Sequence, residues 1–105
     1  MNEMNEAVEK LKVKFKKRKR EHVIDLVSYE QMGPSWKEIV GKRDLTEAAY
    51  CAFGPAEEII CLMRFGDGSY EVGQGECVRP YIPHYKGPNF GLAQQEFENA
   101  IENCL

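Results

Sequence analysis

The chain begins with a helical stripe: Met4, Ala7, Val8, Leu11 and Phe15 recur at steps of three and four residues. That spacing gathers apolar side chains on one face of an α-helix. Asn2 stands where a cap belongs, Glu3, Glu6 and Glu9 fill the first turns, and lysines fill the last. This is the charge order the helix dipole favours, and Glu6 with Lys10 adds an i,i+4 pair. The pattern predicts a helix within residues 2–19, extending to about Lys14. Over KLKVKFK a strand competes with it, because strict alternation would put Leu11, Val13 and Phe15 on one face.

HVIDLVSYE, from His22, is short and β-branched and predicts a strand near 22–30. Gly33-Pro34 ends it. Ser35 and Glu38 form a capping box for a short helix that Gly41 closes, and Asp44 with Glu47 repeats the box for a second helix over 45–53, ended by Gly54-Pro55. Trp36, Ile39, Val40, Leu45, Ala49 and Phe53 are the expected core contacts of this pair. A β-hairpin follows, 57–65 and 69–79, turning at Gly66-Asp67-Gly68, which supplies positive φ angles. Gly73 and Gly75 suggest a bulge or bend in its second strand. Pro80, Pro83 and Pro88 predict an open loop from Tyr81 to Asn89. Ala93, Phe97, Ala100, Ile101 and Cys104 then mark a helix over 92–105. The expected fold is α+β: a small, mostly antiparallel sheet packed by N-terminal, middle and C-terminal helices.

At 105 residues the chain is expected to form a single domain over 1–105, a basic helical segment (2–20) on an α+β body (21–105). Its 43% hydrophobic content is that of a globular protein. The longest apolar run, Ile59 to Met63, is too short for a membrane span. The polar, acidic N-terminus does not resemble a signal peptide, so a cytoplasmic, reducing location is expected. Cys51, Cys61, Cys77 and Cys104 sit among apolar neighbours and read as buried thiols, with Cys104 the most exposed. No Cys-x-x-Cys or His-x-x-x-His pair is present, so neither a metal nor a cofactor is expected.

Charge changes this picture most. Residues 10–20 hold eight of the 14 lysines and arginines and no acid, while residues 21–105 set six cations against 14 acids, a net of −8. The overall −3 therefore conceals a dipolar molecule. Lys12, Lys14, Lys16, Lys17, Arg18, Lys19 and Arg20 are the candidate polyanion-binding residues, since such a run attracts phosphate backbones by counterion release. An acidic protein would suit it too. Two other readings stand beside this one: the cations are answered by the protein's own acidic body, or by a second copy in a homo-oligomer. Phosphate mimicry by the acidic body is a further alternative.

A second candidate surface lies in RPYIPHYKGPNFG. Arg79, Tyr81, His84, Tyr85, Lys86 and Phe90 place aromatic faces beside cations, a combination suited to a nucleotide, a nucleobase or a peptide. Catalytic patterns are missing: Gly73-Gln-Gly75 lacks the third glycine of a dinucleotide loop, and neither a P-loop nor a Gly-x-Ser-x-Gly elbow occurs. The expected function is thus non-enzymatic binding of nucleic acid or another polyanion through the basic segment. The alternative is a small inhibitor or adaptor, of the character of phage and mobile-element accessory proteins, acting on a protein or a nucleotide through residues 79–90.

Overall fold

The computed structural model describes residues 3–16, 19–54, 58–75 and 80–105. In chain order it forms helix α1 (Glu3–Lys14), strand β1 (Val23–Val27), a single 3-10 turn (Tyr29–Gln31), helix α2 (Pro34–Val40), strands β2 (Leu45–Ala52), β3 (Ile59–Phe65), β4 (Tyr70–Gly75) and β5 (Ile82–Gly87), and helix α3 (Phe90–Cys104). The five strands pair antiparallel in the order β1-β2-β3-β4-β5. The result is an α+β fold in which helices pack on a small antiparallel sheet.

The two faces of the sheet are covered unequally. One face carries Ile24, Ala49, Cys51, Ile60, Leu62, Tyr70 and Val72 and meets α1 and α3 through Met4, Val8, Leu11, Phe15, Ala93, Phe97 and Ile101. The other carries Ala48, Cys61, Met63 and Phe65 and meets Met32, Tyr81 and the short α2, through Trp36 and Val40. Period-2 alternation along each strand produces this division. Over Glu3–Lys14 the helical period prevails over strand alternation. Leu11 and Phe15 are buried, whereas Val13 is 76% exposed.

Two of the expected elements are corrected. The helix expected over 45–53 is instead strand β2, Leu45–Ala52: Ala48 and Ala49 are both fully buried, one on each face of a strand that is flanked by β1 and β3. Asp44 does not cap a helix; its carbonyl accepts a hydrogen bond from the Gly66 N–H at 2.7 Å. The proline loop is also a strand. Because β5 lies at the sheet edge, Pro83 is tolerated there, and a shift of register between Val72 and Gly73 leaves His84 as the extra residue. Smaller differences concern helix starts. Gly33 rather than Ser35 caps α2, with Pro34 in its first turn. Asn89 caps α3 by accepting from the Leu92 N–H at 3.1 Å.

The hairpin turn is as expected, with a refinement. Gly68 has the positive φ (89°), and the Asp67 carboxylate accepts from the Ser69 N–H at 2.9 Å and hydroxyl at 2.6 Å. Those bonds hold the Asp67 carboxyl below its usual range. A Cβ on Gly66 would fall 2.2 Å from Asp44 Oδ2, so the exposed Asp44 side chain would have to turn aside for it.

Candidate polyanion-binding site

The apolar stripe of α1 fixes where its lysines stand. With Leu11 and Phe15 locked into the core, the intervening lysines diverge to two sides of the helix. Lys14 turns toward α3, where its ammonium hydrogen-bonds Glu98 and lies 3.5 Å from Glu102. That hydrogen bond to Glu98 holds the Lys14 pKa above its ordinary value. Lys12 points the other way, with an exposed partner, Glu9, at 3.4 Å, a pair that contributes little in water.

The chain beyond α1 returns to the sheet through Arg20. Its guanidinium donates to Glu58 at 3.3 Å and to the Cys104 carbonyl at 3.1 Å, and lies 4.7 Å above the Phe53 ring. Glu58 is buried to 9% exposure, so Arg20 neutralises a carboxylate that would otherwise be stranded. Arg20 is therefore an anchor of the basic segment as much as a member of it.

Between these two fixed points lies a cleft of about 460 Å³, lined by Lys12, Lys16, Lys19, Arg20, Glu21 and His22 over Ile24. Lys16 and Lys19 are exposed and form no ion pair among the described residues. The expected site is thus resolved into parts: Lys12, Lys16 and Lys19 converge on a concave surface, while Lys14 and Arg20 are engaged internally. Lys17 and Arg18 lie outside the described residues. His22 was missed in the sequence, where it read only as the start of a strand.

Residues 79–90 do not converge in the same way. Tyr81 crosses to the α2 face, where its hydroxyl bonds Glu71 and its ring meets Trp36 edge-on at 5.7 Å. Burial, reinforced by Glu71, pushes its phenol well above the usual range. Tyr85 and Phe90 pack on the opposite face, Phe90 at 5.3 Å from Tyr70. Lys86 is exposed at the edge, and Arg79 lies outside the described residues. His84 Nε2 donates to Gln74 Oε1 at 2.8 Å, and the Gln74 amide nitrogen in turn bonds Glu58 and reaches the Cys104 sulfur at 3.6 Å. Gln74 thus stands between the histidine and both groups that could be paired with it. Burial and Glu58 raise the Cys104 thiol, the reverse of thiolate activation.

The α2 face holds a second concavity, of about 300 Å³, between Trp36, Met32, Tyr50, Ile59 and Val27 with Asp25 at its rim. It was invisible in the sequence because reading 45–53 as a helix gives Tyr50 no place in a sheet. Among the described residues no group of three or more His, Cys, Asp or Glu side chains is placed to hold a metal ion, and no helix is long and apolar enough to cross a membrane. Cys51, Cys61 and Cys104 are free thiols, the first two buried; Cys77 lies outside the described residues. No protein-family model, curated protein or solved structure matches the chain.

Proposed function

We propose that the protein is a non-enzymatic binding protein that engages the phosphate backbone of nucleic acid through the cleft beside α1. The observation that carries this reading is the convergence of Lys12, Lys16 and Lys19 on one concavity, while the neighbouring Lys14 is turned away to α3. Had the basic run served only to answer the acidic body, all of its cations would be expected to lie against carboxylates. The alternative, a protein or nucleotide partner held by residues 79–90, has less support, because Tyr81 and Tyr85 point to opposite faces of the sheet.

Fluorescence anisotropy with single-stranded and duplex oligonucleotides, against polyglutamate as competitor, tests the proposal. Three to five lysine and arginine contacts correspond to a log–log salt slope of about −2 to −3.5 on a single strand. No binding at ~50 mM salt, where such contacts are strongest, would refute it.

A further inference from the structure

We infer that His22 makes the cleft a proton-dependent phosphodiester site, an extension that rests on the nucleic-acid reading above. His22 Nδ1 lies 2.9 Å from the carbonyl oxygen of Arg20. A carbonyl only accepts, so in the neutral ring Nδ1 carries the proton and Nε2 the lone pair. Two aromatic rings flank it. Phe15 meets it edge-on at 6.4 Å, Phe53 flanks it at 6.0 Å, and the Arg20 guanidinium covers Phe53 in turn. Nε2 has no protein partner among the described residues, where no buried side-chain nitrogen or oxygen lacks one. It is therefore open to water, and the residue that carries it lines the cleft.

The charged groups around it come from every neighbouring element. Lys12 comes from α1 with Glu9 beside it, Lys16, Lys19, Arg20 and Glu21 come from the connection to β1, and Glu58 lies behind Arg20. A neutral His22 directs a lone pair at an incoming phosphate oxygen. A protonated His22 offers an N–H donor and a positive charge at the same point. A bound phosphodiester and a proton on His22 consequently stabilise one another by linkage. The phosphodiester keeps its single charge throughout the neutral range, and His84, the other histidine, does not line the cleft. A pH effect on binding that is lost when His22 is replaced thus reports His22.

The test uses the full chain and 5′-hydroxyl oligothymidine, which has no terminal phosphate to titrate, at pH values of about 6 and 8 chosen to bracket the histidine range. Binding is expected to be about fivefold tighter at the lower pH, the scale of one exposed ion contact, with a salt slope steeper by about 0.7. His22→Gln, which keeps a donor at every pH, should bind equally at both. A histidine-resolved NMR titration of the wild-type chain gives a readout that needs no variant: oligothymidine should raise the titration midpoint of His22 and leave His84 unmoved. Binding without a pH effect, a pH effect that survives His22→Gln, or an unmoved His22 midpoint overturns the inference alone. Absence of binding at both pH values overturns it together with the reading it rests on.

Discussion

Arg43 holds Glu71 in a 2.6 Å ion pair in which the carboxylate is 5% exposed and the guanidinium 42%. The same guanidinium caps α2 by donating to the Ile39 and Val40 carbonyls at 3.2 and 3.1 Å, and lies 4.4 Å over Phe65. One side chain thus ties α2, β3 and β4 together on the thinly covered face. Arg43→Ala strips a buried carboxylate of its charge partner. It should destabilise the fold by about 2–3 kcal/mol, below the roughly 3–5 kcal/mol for breaking a fully buried pair, because the arginine is part solvated. Adding Glu71→Gln should recover much of that loss. Urea unfolding of the two single variants and the double variant measures both effects.

Gly73 and Tyr81 are fitted to each other. A Cβ at Gly73 would fall 2.0 Å from the Tyr81 hydroxyl and 2.1 Å from its ring, so the bare backbone of β4 is the bed on which the ring lies. Gly73→Ala should cost about 1–3 kcal/mol through overpacking. In a Tyr81→Ala background most of that cost should disappear, giving a coupling that a double-mutant cycle reads directly.

These two relationships show what the sequence could and could not tell. Gly73 read as a bulge or bend because a strand glycine signals either a kink or a close approach, and only the return of Tyr81 across it decides which. Helices at both ends were legible because Leu11 and Phe15, or Phe97 and Ile101, repeat on one face with polar residues opposite. Residues 44–53 were misleading for a physical reason. Asp44 and Glu47 mimic a capping box, and Leu45, Ala49 and Phe53 also satisfy helical spacing, yet flanking strands on both sides outweigh local preference. At the candidate site the charge run was legible residue by residue. The split was not, because Lys14 and Lys16 differ only through α3 and the return of the chain at Arg20.

The buried thiol of Cys51 gives the stability a pH dependence. Burial raises its pKa from 9.0 to about 12. A raised folded pKa means the stabilisation is complete below the unfolded value and is lost as pH rises toward the folded one. Stability should fall between about pH 9 and 12, and Cys51→Ala, though less stable at neutral pH, should lose less over that window. Urea midpoints at neutral and alkaline pH compare the two chains.

The edge of β1 is guarded by Asp25, whose Oδ1 accepts from the Leu26 N–H at 2.8 Å. This occupies a donor that an incoming strand would use and places a charge beside it. Asp25→Ala should increase self-association, seen as a concentration-dependent rise in mass by size-exclusion chromatography with light scattering; a mass unchanged from wild type would count against the guarding role.

The division of labour within the basic segment is the centre of this account, and the salt dependence of oligonucleotide binding measures it. Lys16→Ala and Lys19→Ala together should weaken binding and make the log–log salt slope shallower by about 1.4, two single-strand contacts. Lys14→Ala, whose ammonium is held by Glu98, should leave the slope as it is. Equal slopes in all three chains, or a slope that changes with Lys14 and not with Lys16 and Lys19, would contradict the cleft as the binding site.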